Sequence, residues 1–158
     1  MPLLTIEKDD PRSPDIVELI EEHLTDMHAF SPPGSVHALD LTELLAPSVT
    51  FWSARVDGAL VGIGAVKDLG DGTGELKSMR TPTARRRRGA GRAILNHAIA
   101  HARTNGWSAL LLETGSQPEF APARALYAAH GFVEVGPFGS YLPDPASTFM
   151  RLDLTGMS

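Results

Sequence analysis

The sequence contains no cysteine among its 158 residues. Disulfide bonds, thiolate metal sites and a cysteine nucleophile are therefore excluded together. The chain also lacks a basic start followed by an apolar run, and no stretch approaches the roughly 18 apolar residues of a membrane span. We expect a soluble, cytoplasmic protein that does not act at a membrane.

Positive charge is scarce overall, since 14 Lys and Arg residues face 19 Asp and Glu residues and the net charge is -5. This balance argues against general nucleic-acid binding, which needs clustered cations to displace counterions from phosphates. Four consecutive arginines, Arg85 to Arg88, are the local exception. A concentrated positive patch on an acidic chain indicates a small anionic ligand.

The length and the 42% hydrophobic content fit one domain with a real core, and we predict a single domain over residues 1–158. The hydrophobic pattern predicts a strand, two helices, three antiparallel strands, a helix, a buried strand, a helix and two final strands. Asp57-Gly58 between two extended runs, Val49 to Val56 and Ala59 to Val66, is a hairpin signal. The predicted fold class is α+β.

The loop Arg86-Arg87-Arg88-Gly89-Ala90-Gly91 directly precedes a helix predicted from Gly91 to Thr104. A helix start offers unpaired N–H groups and a partial positive charge, which favour a bound phosphate. Two glycines also occur for turn geometry alone, so the loop by itself leaves its ligand open. Neither a triphosphate P-loop nor a three-glycine dinucleotide fingerprint is formed.

Two motifs and the order of elements resemble the GNAT superfamily of acetyl-CoA-dependent N-acetyltransferases. The motifs are Met79-Arg80-Thr81 followed by Arg86-x-x-Gly89-x-Gly91, and Ala123-x-x-Leu126-Tyr127-x-x-x-Gly131-Phe132. Ser31 to Asp40 and Glu113-Thr114-Gly115-Ser116 are similar to a bacterial subgroup, the YsnE-like acetyltransferases. The resemblance implies a three-layer α/β/α fold, in which a mixed, mostly antiparallel sheet of about seven strands is flanked by four helices.

The same resemblance implies acetyl-CoA as co-substrate. Backbone groups of Met79, Arg80 and Thr81 would meet the pantetheine arm and the acetyl carbonyl. Tyr127 would lie near the thioester sulfur and act as general acid, with packing in its helix as the alternative. Phe120 departs from the family, which often has a coenzyme-binding Asn there. The residues implied at the pyrophosphate are Arg86, Arg87, Arg88, Gly89, Ala90, Gly91 and Arg92.

Transfer to an amine also requires a base, because only the neutral amine can attack the thioester. Glu113, at the end of the buried strand, is the first candidate and Glu75 the second, with solvated strand-end carboxylates as the alternative for both. His37, Trp52 and Tyr141 are candidates for binding the acceptor substrate. Core packing is the competing interpretation for Trp52.

His97 and His101 have the i, i+4 spacing of two metal ligands on one helix face, but we expect them to be solvent-exposed and no metal to be needed. The predicted function is transfer of an acetyl group to a small-molecule amine. A protein lysine or N-terminal acetyltransferase and a non-catalytic acyl-CoA-binding regulatory module are the alternatives. No nucleic-acid partner is expected, and a homodimer is left open.

Overall fold

A computed structural model describes residues 4–30, 41–80, 89–139 and 141–154, with only the backbone described for 23–30 and 41–42. The elements follow one another in the predicted order. They are β1 (Leu4–Lys8), α1 (Pro14–Phe30), α2 (Leu41–Leu44), β2 (Val49–Val56), β3 (Ala59–Asp68), β4 (Thr73–Arg80), α3 (Ala90–Thr104), β5 (Ala109–Gly115), the 3₁₀ helix η1 (Pro118–Phe120), α4 (Ala121–Ala129), β6 (Val133–Val135) and β7 (Ser147–Asp153).

The seven strands form one sheet in the order β1-β2-β3-β4-β5-β7-β6. Only β4 and β5 run parallel, and every other neighbouring pair is antiparallel. Helix α3 connects the two parallel strands, as a crossover of this kind requires. The predicted mixed, mostly antiparallel sheet of seven strands is therefore confirmed.

The prediction of four flanking helices is wrong for the described residues. Three helices of more than two turns are present there, namely α1, α3 and α4. The helix expected from about Ala38 to Leu45 is reduced to the single turn α2, and its residues 38–40 lie outside the described ranges. Pro47 follows closely, and a proline cannot continue a helix because it lacks the N–H donor.

The hairpin between β2 and β3 turns at Asp57-Gly58, as its sequence predicts. Asp57 has φ 51° and Gly58 has φ 82°. Two consecutive positive φ angles are the requirement of the tight turn that matches strand twist. Val56 consequently pairs with Ala59 across the turn.

Helices α3 and α1 pack on opposite faces of the sheet. On the α3 face, Ile94 and Leu95 are fully buried, and the missing side chains of Gly62 and Gly64 let Ile94 approach β3 closely. On the α1 face, Ile16 and Leu19 pack with residues of β2 and β3 in a second apolar cluster. The sheet thus has two covered faces, which gives the three-layer arrangement.

None of the helices among the described residues is both long enough and apolar enough to cross a membrane.

Candidate active site

The parallel strands β4 and β5 pair only along their first halves. The four pairs run from Thr73 opposite Ala109 to Leu76 opposite Leu112. Beyond Leu76, β4 continues to Arg80 and β5 to Gly115 without further pairing between these two fully described strands. A sheet interrupted in this way leaves an opening between the carboxyl ends of the two strands, where a ligand's polar groups can meet unpaired backbone.

Strand β4 carries a bulge within that opening. Ile63 of β3 lies opposite Arg80 and Ala65 lies opposite Lys77, so one intervening residue on β3 faces two on β4. Ser78 has φ 56°, in the left-handed region that non-glycine residues seldom adopt. Bulges of this type redirect side chains and backbone groups and often accompany active sites.

The start of α3 lies beside the end of β4. A Cβ placed on Gly62 of β3 would be 3.4 Å from Ala90 Cβ and 3.5 Å from the Arg80 carbonyl oxygen. Gly89 precedes the helix with φ 80°, and within the described ranges it is a cap position without a side-chain hydrogen bond to the first N–H groups. Backbone N–H groups in the first turn of a helix have no intrahelical partner, so they can bind a ligand.

The glycines of this helix start leave room for an anion. Among the described residues, a Cβ on Gly89 would meet nothing within 4 Å, and one on Gly91 would meet Leu126 Cδ2 at 3.6 Å. Room beside the N–H groups of a first helical turn fits a phosphate well. The contact with Leu126 also places α4 beside the start of α3, and Arg92 in the first turn of α3 is exposed.

Tyr127, the next residue on α4, is almost fully buried at 7% exposure. Its ring packs against Phe132, with the ring centres 5.8 Å apart. Burial, followed by the negative charge of Glu113, raises the pKa of the Tyr127 phenol above its ordinary value. The phenol therefore keeps its proton across the neutral pH range.

Glu75, Lys77 and Tyr141 form a compact polar group on the α1 side of β4. Tyr141 Oη donates to Glu75 Oε2 at 2.7 Å, and Lys77 Nζ donates to the same oxygen at 2.9 Å and to Tyr141 Oη at 3.0 Å. Glu75 is only 4% exposed. A buried carboxylate on its own would cost free energy. Lys77 neutralises the charge of Glu75 and the Tyr141 phenol donates a hydrogen bond to it, so the three side chains are stable together.

Tyr141 is held by its ring as well as by its hydroxyl. The ring contacts Phe138 and Phe149, with centres 5.2 and 5.4 Å apart. Burial first, then the charge of Glu75 and the hydrogen bond to it, raises the pKa of Tyr141; the charges of Glu113 and Glu43 add to the shift. The loop between β6 and β7 is thereby fixed against β4.

Glu113 is the first residue of β5 beyond the last pair with β4. Its side chain is half-buried, and it lies opposite Phe149 of β7. Its charge raises the pKa of Tyr127 on the α4 side and of Tyr141 on the α1 side. Glu113 is thus electrostatically coupled to the candidate groups on both faces of the opening.

Arg80, at the end of β4, is directed toward α1. Its Nη2 donates to Glu22 Oε1 at 3.1 Å, and its side chain is 11% exposed. The guanidinium is therefore an interior ion-pair partner and not a surface charge. Met79 packs its sulfur near Gly64, on the α3 side of the sheet. Met79 and Arg80 thus alternate as neighbours on a strand do, whereas the bulge places Lys77 and Arg80, three positions apart, on the same α1 face.

The structure does not support Trp52 as an acceptor-binding residue. Its ring is 1% exposed and belongs to the core cluster under α3, on the face opposite Tyr141. His97 and His101 meet this ring edge-on, at 4.9 and 5.1 Å between centres. The expectation that both histidines are solvent-exposed is also wrong, since both are half-buried.

Five predicted site residues lie outside the described residues, namely His37, Thr81, Arg86, Arg87 and Arg88. Among the described residues, no group of three or more His, Cys, Asp or Glu side chains is placed to hold a metal ion.

Lys77 is the residue that the sequence interpretation missed. A signal for it exists, because Glu75 and Lys77 are two residues apart on one strand and therefore share a face. What the sequence does not show is Tyr141, 64 positions away, which completes the group.

The long connection after β5 also has a structural explanation. A side chain on Gly115 would collide with the Phe120 ring, so the glycine lets that ring lie directly on the strand end. Arg124 Nη1 then donates to the carbonyl oxygens of Gly115 and Gln117 at 2.6 and 3.0 Å. Phe120 therefore closes the end of β5 by packing.

This fold, in which the sheet opens between its two parallel strands beside a helix start, is shared with acyltransferases. One such neighbour is a Klebsiella pneumoniae structure assigned as an acyl-CoA N-acyltransferase. It superposes on this chain with a TM-score of 0.82 at 29% identity, and the match covers 96% of this chain and 98% of that one. An Elizabethkingia anophelis GNAT acetyltransferase with acetyl-CoA bound superposes with a TM-score of 0.67 at 16% identity, covering 96% and 98% of the two chains.

Comparison at the sequence level identifies the family. The model of the acetyltransferase (GNAT) family matches residues 15–132. The uncharacterized N-acetyltransferase YsnE of Bacillus subtilis is 46% identical over 94% of this chain and 99% of its own length. An IAA acetyltransferase of Azospirillum brasilense is 42% identical over 98% of this chain and 100% of its own length. The chain belongs to the GNAT family, in its YsnE-like branch, and is an acyltransferase.

Proposed function

We propose that the protein transfers the acetyl group of acetyl-CoA directly to an amine of a small-molecule acceptor. The observation that supports this most is the position of Glu113 at the point where β4 and β5 separate, where its charge reaches both Tyr127 and Tyr141. A base at this point of the sheet could be reached by an acceptor from the α1 face and by the thioester from the α3 face.

The donor side of the proposal rests on the start of α3. The first-turn N–H groups, and the room that the described residues leave at Gly89 and Gly91, fit the pyrophosphate of acetyl-CoA. The strand end at Met79 and Arg80 adjoins this helix start, so the pantetheine arm would run along β4. Acetyl-CoA supplies the activated acyl group. Ala90 and Arg92 remain proposed contacts, as do Thr81 and Arg86 to Arg88.

Glu113 is proposed as the general base in preference to Glu75. One oxygen of Glu75 already accepts hydrogen bonds from both Lys77 and Tyr141. An added proton on Glu75 would displace those donors from a group that is 4% exposed. Glu113 is half-buried, less enclosed than Glu75, and lies where β4 and β5 separate, so we propose that it takes the proton of the incoming ammonium, directly or through water.

Tyr127 is proposed as the general acid. The ammonium first gives one proton to Glu113, and the neutral amine then attacks the thioester carbon. The N–C bond forms as the C–S bond breaks, and the departing thiolate accepts the phenolic proton of Tyr127. The second proton of the nitrogen then passes through water to the Tyr127 phenolate, and Glu113 releases its proton to solvent. The raised pKa of Tyr127 keeps that proton in place until the thiolate forms. Packing against Phe132 would hold the ring in position for this donation.

The acceptor side of the proposal draws on the α1 face. Tyr141, held by Glu75 and Lys77, would form one wall of the acceptor pocket, and His37 remains a further proposed contact. The name of the Azospirillum relative, an IAA acetyltransferase, favours a small molecule over a protein acceptor. We further propose a single cytoplasmic domain, with the homodimer still open.

The test is acetyl-CoA-dependent thiol release with a panel of amines, measured from pH 6 to 9 with wild type, Glu113→Gln, Glu75→Gln and the control Glu119→Gln. Loss of a general base lowers kcat by roughly 100-fold or more. We expect that loss, together with loss of the acid limb of the pH profile, in Glu113→Gln alone. Glu119 is exposed, so its variant removes the same charge nearby without touching the opening.

Two results would contradict the proposal. If Glu75→Gln loses the acid limb while Glu113→Gln keeps it, the base is Glu75. If no small amine releases thiol but a peptide amine does, the acceptor is a protein. Binding of acetyl-CoA without release in any mixture would instead favour the regulatory module.

A further inference from the structure

Helix α4 carries Tyr127, but few of its side chains are buried. Of its nine residues, all of them described, Tyr127 alone is buried. Ala123 and Leu126 are partly buried and pack on the same core cluster. Phe120, at the cap position, makes no side-chain hydrogen bond to the start of the helix within the described ranges. Burial of apolar side chains thus contributes little to holding α4, and the position of Tyr127 depends on further contacts.

Arg124, in the first half of α4, makes such a contact. Its Nη1 donates to the carbonyl oxygens of Gly115 and Gln117, at 2.6 and 3.0 Å. One guanidinium nitrogen carries two protons, so it serves both carbonyls at once. Hydrogen bonds from a charged donor are roughly twice as strong as those between neutral groups. The Arg124 side chain thereby ties α4 back to the end of β5.

The end of β5 is a fixed point for this tie. Gly115 pairs with Ser147 in the ladder to β7, and the next N–H group, that of Ser116, donates to the Ala146 carbonyl oxygen at 2.9 Å. Glu113, the proposed base, lies two residues before Gly115 on the same strand. Arg124 therefore connects α4 to the strand that carries the base.

Arg124 and Tyr127 lie next to each other on α4. Residues three positions apart are neighbours on a helix surface, and their separation along the axis is about 4.5 Å. A helical turn is too stiff to absorb a displacement over that distance, so the position of Arg124 sets the position of Tyr127. A misplacement of about 1 Å at a reacting group can cost roughly 100-fold in rate.

We propose that Arg124 is a positioning residue for the general acid. This inference rests on the proposed acetyl transfer, in which the Tyr127 phenol gives its proton to the departing thiolate. Arg124 takes no part in the proton transfers. It holds α4 against the end of β5, so that the phenol stays in line with the thioester sulfur while Glu113 receives the proton of the ammonium.

The experiment is a double-mutant cycle on kcat, with both substrates saturating, at a temperature well below the melting temperature of every variant. Arg124→Met keeps the apolar stem but removes the donors, and it should lower kcat by about tenfold or more. Tyr127→Phe should lower kcat by about 100-fold. The double variant should match Tyr127→Phe, because a residue that acts through Tyr127 then has nothing left to position.

Two further variants serve as rescue and control. Arg124→Lys keeps a charged donor, so it should recover most of the rate that Arg124→Met loses. Arg103→Met removes the same charge from an exposed position on α3 and should keep the kcat of wild type. Independent costs of Arg124→Met and Tyr127→Phe, which multiply in the double variant, would show that Arg124 only supports the fold and would overturn the inference.

Amide hydrogen exchange tests the tie without reference to turnover. In Arg124→Met the amides of α4 should exchange faster than in wild type, while those of α3 are unchanged. Equal exchange of α4 in the two proteins would overturn the inference, since Arg124 would not hold the helix. If wild type acetylates no amine, the proposed function fails and the positioning role with it, although faster exchange would still show that Arg124 holds α4.

Discussion

At the scale of single residues, Ser78 carries the strain of the candidate site. Its positive φ costs of order 1 kcal/mol for a residue with a side chain. The strain accompanies the bulge that places Arg80 on the α1 face together with Lys77, three positions earlier. Ser78 therefore stabilises the geometry of the opening at the expense of local backbone energy.

Substitution of Ser78 tests this account. Ser78→Gly should leave the free energy of unfolding nearly unchanged, since the relieved strain is offset by the greater entropy of glycine in the unfolded chain. Ser78→Val should lose about 1–2 kcal/mol, because a β-branched residue tolerates this φ poorly. Urea unfolding measures both. Equal stability of Ser78→Val and wild type would mean that the bulge is not maintained.

Asp57→Gly is the control for Ser78, because Asp57 has a similar φ in a distant turn. Its effect on stability should resemble that of Ser78→Gly, while its acetyl-transfer rate stays that of wild type.

The positions of single residues were predictable only where a motif restricted them. The position of Tyr127 beside the Leu126 that faces Gly91 follows the motif that suggested it. The face on which Trp52 lies could not be predicted, because β2 is apolar on both faces and alternation alone does not tell which face a tryptophan occupies. The group of Glu75, Lys77 and Tyr141 joins residues too far apart in sequence for any local pattern to connect.

At the scale of elements, the packing of α3 on β2 introduces a pH dependence. Burial, then the charges of Lys8 and His97, lowers the pKa of His101 below its ordinary value of 6.5. The folded protein thus binds fewer protons than the unfolded chain near and below that pH. Stability should therefore fall as the pH drops through about 6.5 and below.

His101→Phe keeps an aromatic ring against Trp52 and removes the titration. The melting temperature of this variant should fall less than that of wild type between pH 7.5 and pH 5. Lys8→Gln should produce a smaller change in the same direction, since the Lys8 charge is only part of the cause. An identical pH dependence in His101→Phe and wild type would show that His101 does not contribute.

Elements were predictable wherever a local signal existed. The hairpin at Asp57-Gly58 and the buried strand β5 follow from turn chemistry and from a continuous apolar run. The separation of β4 from β5 has no such signal, because it arises from the sheet as a whole. The single turn α2 was overestimated because its leucines suggested a longer amphipathic helix.

At the scale of the whole molecule, the net charge of -5 contrasts with the site proposed for an anion. An acidic protein can bind a phosphate group only where local hydrogen-bond donors outweigh the repulsion from its net negative charge. The first-turn N–H groups of α3 are such donors, and the chain belongs to the GNAT family. These two facts support our proposal that acetyl-CoA binds at Gly89, Ala90 and Gly91.

Calorimetric titration of acetyl-CoA into Gly91→Glu tests this proposal, with Gly91→Ala as the control. Of the residues that the structure describes, Leu126 alone comes within 4 Å of a Cβ on Gly91, and at 3.6 Å it is in ordinary contact, so both variants should fold. A carboxylate in the first turn also favours the helix. That carboxylate would occupy the phosphate position. We predict affinity close to wild type for Gly91→Ala and a loss of roughly 100-fold, about 2.7 kcal/mol, for Gly91→Glu. Wild-type affinity in Gly91→Glu would contradict the account.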